Sequence, residues 1–506
     1  MAPRLSIERL RRDGQAMMEE ISRESYLAHS GLKATVELQP IYARYADVVG
    51  EDAFRFAVEA YASATPGTDE HRSARVLLEW QLEGQVARTL APLEEREVAW
   101  ENTAVLRLPE GRELQYQSAP IEIANSKNRA ERIAIDEARA QIAWREHAPI
   151  RLEYLQREKD VVESMGLAPS YNASFEAVTG ISLGTLSGQC SAFLRDTEAM
   201  WDETLRYYLR TKMGLKRGEA MRADALALFR ASEFDEGFHA SEMEPAIRRQ
   251  VSEMGMDPTA NGRVVFDLGE REGKRSRAFC APVRVPDEVY LVLRPHGGQS
   301  DYTTFLHELG HALHFANADA SLPFEFRWLG DNSVTEAYAM LFDHRMQDGG
   351  WLSRYSSLGG NRLGEYLRMS GFEELHFLRR YSAKLLYEIA VYAGDAPWSA
   401  LPDMYVSQLT SATGFTYRPE DAFIDLDPRF YSVRYLRAWQ LQSALNATLT
   451  DKFNDDWFRN PAAGPWITGE LFSIGQRDTA DEIASRVGAT LSFDPIVKRI
   501  EALLAS

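Results

Sequence analysis

Apolar residues recur every three or four positions over much of residues 6–251, and this spacing predicts helices that each bury one face. Two such sets are Leu27, Leu32, Val36 and Val86, Leu90, Leu93. Residues 125–162 are instead dense in Arg, Glu and Ala. We interpret that run as a solvated helix with ion pairs four positions apart, interrupted at Pro149.

A different pattern occupies residues 263–294. Three short runs there are partly β-branched or aromatic and are separated by turn residues, at 263–268, 277–282 and 289–294. They predict three strands of a small sheet in a mainly α-helical protein. We find neither a repeat nor a long linker, which favours lobes over domains of continuous sequence. We place a helical lobe at 1–255 and assign 256–506 to the region that carries the candidate chemistry described below.

Composition narrows the class of protein. The 506 residues are 45% hydrophobic and 26% charged, which is typical of a folded globular chain. The net charge of −18 argues against a nucleic-acid partner, since phosphate binding needs a basic surface. Cys190 and Cys280 are too few for a disulfide framework. Neither a signal-peptide core nor a run of about 18 apolar residues occurs, so we expect a cytoplasmic protein without membrane contact.

The candidate chemistry lies in residues 301–314, where apolar residues again have helical spacing and Asp301 is a plausible N-cap. His307 and His311 stand four apart and therefore project from the same side of the helix, as two ligands of one zinc ion require. Glu308 follows the first histidine and could reach a water on that zinc, where a carboxylate general base is needed. Gly310, unfavourable in a helix by about 1 kcal/mol relative to Ala, indicates close packing beside the metal.

A catalytic zinc usually has three protein ligands, so the sequence must supply another. Glu336, on the next predicted helix, is our choice, with Glu325 and Asp331 as reserves. Glu336 has a competing structural role, because Ser333 to Glu336 also fits a capping box.

Four further residues that follow the first histidine could take part in the site or have structural roles. Asp343 lies seven positions after Glu336, on the same helix face, and either orients a zinc-bound histidine or is an ordinary exposed carboxylate. His314 is interpreted as a buried or orienting histidine rather than a ligand. His344 and His376 have no supporting pattern and are interpreted as structural.

These motifs resemble the zinc metallopeptidases of the thimet oligopeptidase and oligoendopeptidase F type, which are gluzincins. The likeness is carried by residues 273–280, by the motif Phe-Leu-His-Glu-Leu-Gly-His-Ala-Leu-His at 305–314, by Glu336 at 25 residues after His311, and by Phe-Tyr-Ser-Val-Arg-Tyr at 430–435. Residues 460–489 also resemble the tail of the family.

The resemblance implies a two-lobed helical clam with a deep channel and one zinc ion at its floor, held by His307, His311 and Glu336. It implies that Tyr431 or Tyr435 donates a hydrogen bond to the oxyanion of the reaction, although packing in an aromatic core is the alternative role. The predicted strand 277–282 would then pair with a peptide backbone.

The sequence departs from the family at two points. Where a histidine usually precedes the tyrosine segment, this chain has Asp425-Leu-Asp427-Pro. Another frequent tyrosine position holds Val433 or Ala438, depending on the alignment. We therefore expect a rearranged oxyanion site.

Three functions remain open from the sequence. The leading hypothesis is a zinc-dependent oligopeptidase that cuts short unfolded peptides, with Glu308 as the general base. The second is a metallocarboxypeptidase that holds the substrate carboxylate through a cation such as Arg429, Arg434 or Arg437. The third is a non-catalytic zinc protein that binds peptides, although such a protein has no need of Glu308.

Overall fold

Helices dominate the protein. The computed structural model describes residues 5–394 and 396–506, and 70% of the chain is helical against 5% in strands. This confirms the predicted mainly α-helical fold with a small sheet. In the described part of the chain, no helix is both long and apolar enough to cross a membrane.

The helices are numbered in chain order. They are α1 Ile7–His29, α2 Gln39–Arg44, α3 Glu51–Ser63, α4 Asp69–Thr103, α5 Ala119–Asn125, α6 Arg129–Ile142, α7 Ala148–Ser164, α8 Tyr171–Thr179, α9 Leu183–Asp196, α10 Glu198–Tyr208, α11 Arg222–Arg230, α12 Ala240–Glu253, α13 Gln299–Asn317, α14 Phe324–Trp328, α15 Asn332–Asp343, α16 Gly349–Tyr355, α17 Asn361–Ala393, α18 Leu401–Thr413, α19 Tyr431–Phe453, α20 Ala463–Trp466, α21 Ala480–Arg486 and α22 Asp494–Leu504.

Contacts divide the chain into two compact units, each built from separate stretches of sequence. Unit 1 comprises Met1–Gln85, Glu233–Leu367 and Arg437–Ile496. Unit 2 comprises Val86–Ser232, Arg368–Leu436 and Val497–Ser506. The predicted segments 1–255 and 256–506 each contribute to both units. The assignment of catalysis to the second segment, and the clam that the resemblance implies, stay predictions.

Unit 1 contains the predicted small sheet. Its strands are β3 Val264–Asp267, β4 Phe279–Arg284 and β5 Glu288–Val292, in the order β3-β5-β4. The central strand β5 pairs in parallel with β3 and antiparallel with β4. All three fall within the predicted runs, give or take two residues. A second sheet, in unit 2, is a hairpin of β1 Val105–Arg107 and β2 Glu113–Gln115 that the sequence analysis missed.

Of the two sets of helically spaced apolar residues, one was predicted correctly and the other was wrong. Val86, Leu90 and Leu93 are buried in α4, as predicted. The set that begins at Leu27 was wrong, because α1 ends at His29 and both Leu32 and Val36 are exposed. Apolar residues can keep a spacing of three or four by chance beyond the end of a helix. The spacing alone then does not show where the helix ends.

The charged run 125–162 is not one continuous helix. It contains the end of α5, all of α6, a π-helical turn at Ala143–His147 and most of α7. Pro149 lies in the first turn of α7, where its missing N–H is tolerated. The predicted interruption was wrong, because the chain stays helical from α6 through the π-helical turn into α7, and only the hydrogen-bond pattern changes before the proline.

Candidate metal centre

Helix α13 carries the zinc motif and is anchored by one apolar face. The residues of that face that are fully buried are Tyr302, Phe305, Leu306, Leu309 and Leu313. The predicted N-cap at Asp301 was wrong, because α13 begins two residues earlier, at Gln299. The Asp301 carboxylate instead accepts a hydrogen bond from the backbone N–H of Gly297 at 2.7 Å and holds the loop before the helix.

Gly310 lets α13 and α15 approach closely. A Cβ atom at this position would lie 2.5 Å from the Cα of Ala339 and 2.8 Å from the carbonyl oxygen of Tyr338. Both contacts are with the backbone of α15 and cannot be relieved by a rotamer change. The close packing predicted from this glycine is confirmed, and it brings the two helices that carry the candidate ligands side by side.

The N-cap of α15 is Asp331, not Ser333. Asp331 accepts a hydrogen bond from the backbone N–H of Ser333 at 3.0 Å and another from that of Ala480 at 3.1 Å. The predicted capping box was therefore wrong: the helix begins at Asn332 and Glu336 does not cap it. Cap and candidate ligand are different carboxylates, which removes the competing role of Glu336.

Both reserve ligands have structural roles. Asp331 caps α15, and Glu325 is fully buried and pairs with Arg11 at 2.6 Å. Glu325 also accepts a hydrogen bond from the hydroxyl of Ser73. Their partners compete with any metal for the carboxylate oxygens, so Glu336 is the remaining candidate.

The three predicted ligands converge. Oε2 of Glu336 lies 3.5 Å from Nε2 of His307 and 3.8 Å from Nε2 of His311. The ligand atoms of the three residues all lie within 4.8 Å of one another. Two ligands of a tetrahedral zinc, each bound at about 2.1 Å, are about 3.4 Å apart. The separations here fit a zinc ion between the three side chains.

The other ring nitrogens of the two histidines are hydrogen-bonded to α15. Nδ1 of His307 lies 2.8 Å from Oδ2 of Asp343, and Nδ1 of His311 lies 2.8 Å from Oγ1 of Thr335. Such contacts turn Nε2 of each ring towards Glu336 and fix the ring orientation. Asp343 thus has the orienting position that the sequence analysis favoured over simple exposure.

The two histidines differ in their electrostatic surroundings. Burial lowers the pKa of His307, but hydrogen bonds with Asp343 and Glu336 outweigh burial and raise it well above the usual value. For His311 burial outweighs the charge of Glu336, and the pKa falls to about 4. His311 is therefore neutral at pH 7, whereas a metal ion has to displace a proton at His307.

Glu308 lies between the ligands and strand β4. Burial raises the pKa of its carboxyl group, although the charge of His307 and a backbone hydrogen bond from Cys280 oppose this shift. The net result is a carboxylate with more affinity for protons than an exposed glutamate has. This is the direction that suits a general base.

Side chains already engage two backbone groups of strand β4. The N–H of Cys280 is engaged by Glu308, and the carbonyl of Pro282 accepts a hydrogen bond from the hydroxyl of Ser22 at 2.8 Å. Pairing of a substrate with this edge strand stays a prediction, restricted to the remaining groups.

The predicted oxyanion residues belong to unit 2, whereas the three ligands and Glu308 belong to unit 1. The rings of Tyr431 and Tyr435 lie 5.1 Å apart at the start of α19, and Tyr435 also contacts the ring of Tyr381 at 5.6 Å. Their catalytic role stays a prediction. Val433 and Ala438, the two alternatives for the tyrosine position discussed in the sequence analysis, are fully buried.

The cations of the carboxypeptidase hypothesis are distributed over both units. Arg437, in unit 1, forms an ion pair with Asp481. Arg429 and Arg434 belong to unit 2. Arg434 is buried, and Arg429 adopts a left-handed backbone conformation, with φ of 54°. None of these observations favours carboxylate binding at the metal centre.

Three histidines outside the ligand set have defined positions. His314 is fully buried, as predicted, and lies 3.2 Å from Oγ1 of Thr335 through Nδ1. His344 shares Asp343 with His307, at 2.6 Å from the other carboxylate oxygen. His376 is buried in unit 2 between aromatic rings, in agreement with a structural role.

The contact of Thr335 with His311 and that of His344 with Asp343 were not predicted from the sequence. Thr335 directly precedes the candidate ligand Glu336, and His344 directly follows Asp343. The only available signal was that polar residues neighbour acidic ones on α15. That signal is too common on helices to select either residue.

A second group of ligand-type side chains lies in unit 2. Glu97, Glu101 and His147 also bring their ligand atoms within 4.8 Å of one another. There, however, Nε2 of His147 forms a 2.8 Å hydrogen bond with Oε1 of Glu97. Arg151 lies 3.4 Å from the other oxygen of Glu97, so both carboxylate oxygens of Glu97 already have partners.

Comparison with known proteins adds no family to this geometry. No protein-family model matches the chain, and no curated protein matches it either. The feature that indicates a function is therefore the metal centre itself. His307, His311 and Glu336 converge around a position that fits zinc, with Glu308 beside it.

Proposed function

We propose that the protein is a zinc-dependent oligopeptidase that hydrolyses peptide bonds within short, unstructured peptides. The supporting observation is that both histidines of the His-Glu-x-x-His motif direct Nε2 towards Glu336, on the neighbouring helix, at 3.5 and 3.8 Å. The resemblance of this motif and of the spacing to Glu336 to the oligoendopeptidases indicates the substrate class.

His307, His311 and Glu336 would hold a single zinc ion. Two neutral imidazoles and one carboxylate are a ligand set that zinc uses in hydrolases, with a further position left for water or substrate. When bound, zinc supplies Lewis acidity, which polarises a carbonyl group and makes water more acidic. Asp343 and Thr335 hold the two rings in the orientation that this ligand set needs.

Glu308 would act as the proton carrier of the reaction. Its carboxylate accepts a proton from the attacking water and donates it to the leaving amine. Burial, which raises its pKa, strengthens the first transfer, and the N–H of Cys280 holds the carboxylate in place. A tyrosine hydroxyl, from Tyr431 or Tyr435, would stabilise the oxyanion, as the resemblance implies.

The test is digestion of a defined mixture of short peptides, with products identified by mass spectrometry. The zinc-loaded wild-type protein should produce internal cuts. Glu308→Gln should retain zinc and lose activity by about 100-fold or more, because general-base catalysis contributes about 10²- to 10⁴-fold. Glu101→Gln, the same change at a carboxylate of unit 2, is the matched control and should leave the products unchanged.

Each other outcome contradicts part of the proposal. Activity of Glu308→Gln equal to that of the wild type would overturn the role of the general base. Stepwise release of single residues from one end would favour the carboxypeptidase or another exopeptidase. A wild-type protein that binds zinc and cuts none of the peptides would favour the non-catalytic zinc protein.

A further inference from the structure

The hydroxyl of Thr335 lies between two histidines. Its Oγ1 atom is 2.8 Å from Nδ1 of His311 and 3.2 Å from Nδ1 of His314. The other nitrogen of His314, Nε2, is 3.2 Å from the carbonyl oxygen of Gly475. Four groups thus form a hydrogen-bonded chain that starts at a backbone carbonyl and ends at a candidate zinc ligand.

The direction of each hydrogen bond follows from the carbonyl end. A carbonyl oxygen only accepts, so Nε2 of His314 carries the proton. His314 is fully buried and its ring contacts are with Phe315, Tyr338 and Phe472. A ring buried in such apolar surroundings is neutral, so its Nδ1 has no proton and accepts a hydrogen bond from the threonine hydroxyl.

The single hydroxyl proton of Thr335 then determines which ring nitrogen of His311 carries a proton. Because Thr335 donates its only proton to His314, it can only accept from Nδ1 of His311. His311 therefore carries its proton on Nδ1 and presents the lone pair of Nε2 to Glu336. This is the tautomer that a metal bound at Nε2 requires.

The carbonyl that starts the chain is itself fixed. Gly475 has a positive φ of 56°, and a Cβ atom there would lie 2.2 Å from the carbonyl oxygen of Phe326. The neighbouring N–H of Gln476 donates to that same oxygen at 2.7 Å. The backbone at 475 therefore has little freedom to turn its carbonyl away from His314.

We infer that Thr335 and His314 are positioning residues that set the tautomer of His311 for metal binding, in a chain that runs from Gly475 to the metal. This inference rests on the metal centre of the proposed function but not on peptide hydrolysis. Asp343 orients His307 by direct contact. His311 instead contacts the uncharged Thr335, and the direction of that hydrogen bond is set by His314 and the Gly475 carbonyl.

The experiment measures zinc affinity by competition with a chelator, without any assay of activity. Thr335→Val keeps the side-chain shape and removes the hydroxyl, and it should weaken zinc binding by about 10- to 100-fold, as loss of an orienting partner does. Thr335→Ser restores the hydroxyl and should bind zinc within about 3-fold of wild type. Ser333→Ala, which removes another buried hydroxyl of α15, is the control and should leave the zinc affinity unchanged.

His314→Phe separates the relay from a local contact. It keeps an aromatic ring and frees the threonine proton to be donated to His311, which favours the wrong tautomer. Zinc affinity should therefore fall although residue 314 is not a ligand. The double variant, which combines His314→Phe with Thr335→Val, should bind zinc no more weakly than the single variant with the lower zinc affinity. The reason is that both changes break the same hydrogen-bonded chain. Thermal unfolding measured without zinc shows that each variant is folded.

Three results would overturn the inference. They are a Thr335→Val protein that binds zinc as tightly as wild type, a Thr335→Ser protein as weak as Thr335→Val, and additive losses in the double variant. A wild-type protein without zinc affinity would overturn the metal centre as well. A wild-type protein that binds zinc, shows the expected pattern and cuts no peptide would contradict only the proposed function.

Discussion

Among the residues that the structure describes, two groups of histidines and carboxylates bring their ligand atoms close enough to hold a metal ion, and they differ in how the histidines are held. At His307 and His311, Nδ1 is engaged by Asp343 or Thr335, and Nε2 stands 3.5 to 3.8 Å from Glu336. His147 instead directs Nε2 straight at Glu97 at 2.8 Å. Among the described residues, its buried Nδ1 has no hydrogen-bond partner.

Proximity of ligand types is therefore a poor guide to a metal site. Both groups bring their donor atoms within 4.8 Å. Only the first has outer partners that turn the ring nitrogens towards a shared position and leave room for an ion. In the second, Glu97 already has His147 and Arg151 as partners. We interpret it as a structural cluster, with Trp100 stacked on the His147 ring at 4.6 Å.

The largest expected effect separates the two groups by metal content. Wild-type protein should bind one zinc ion per chain, as measured by metal analysis after dialysis. His311→Ala should lose tight zinc binding, because two ligands remain where a catalytic zinc needs three. His147→Ala should retain one zinc ion. Two ions in the wild type, with one lost in His147→Ala, would show that the second group also binds metal.

An intermediate effect is expected at the orienting carboxylate. Asp343→Asn should weaken zinc binding by about 10- to 100-fold, because the amide orients His307 less strongly and no longer stabilises positive charge on it. Glu97→Gln makes the equivalent change beside His147. It should leave zinc affinity, measured by chelator competition, unchanged. Equal losses in the two variants would contradict the distinction between the groups.

The smallest effect is expected in the acid stability of the second group. Burial raises the pKa of Glu97, but His147 and Arg151 outweigh it, so the pKa is lowered overall. A carboxyl group with a lowered pKa in the folded state stabilises the protein above its unfolded pKa, and this contribution is lost as the pH falls through the folded value. The unfolding temperature of wild type should therefore fall more steeply below about pH 4.5 than that of Glu97→Gln.

Glu101 provides a control of opposite sign. Burial raises the pKa of its carboxyl group, so its ionisation weakens the fold as the pH rises through that value. Glu101→Gln should raise the unfolding temperature at pH 7 slightly, by on the order of 1 °C. Parallel acid profiles for the wild type and Glu97→Gln would show that the pair with His147 adds no stability.

Local patterns predicted the parts of the site that lie within one element. The four-residue spacing of His307 and His311 places both on one side of α13, and apolar residues such as Leu306, Leu309 and Leu313 form its buried face. The glycine at 310 indicated the close approach of a second helix, which the contact with Ala339 confirms. The placement of the histidines depends on helical geometry alone, and the close approach depends on the missing side chain at 310, so both can be read from the sequence.

Helix boundaries were less predictable, because more than one local pattern fitted. Both Asp331 and Ser333 have side chains that cap helices, and Ser333 even has a glutamate three positions later. The structure selects Asp331, whose carboxylate also accepts from Ala480. A contact between residues 149 positions apart thus decided where α15 begins and left Glu336 to face the histidines.

The sequence by itself determined the mainly α-helical fold, the three-stranded sheet and the identity of the candidate zinc motif. Only the tertiary structure decided that Glu336 meets both histidines, that Asp343 and Thr335 orient them, and that a carbonyl 161 positions from His314 sets the direction of the relay. The physical reason is that helical and strand periodicity reports which faces are buried. It does not report which distant backbone or side-chain group, brought close by packing, satisfies a buried polar atom.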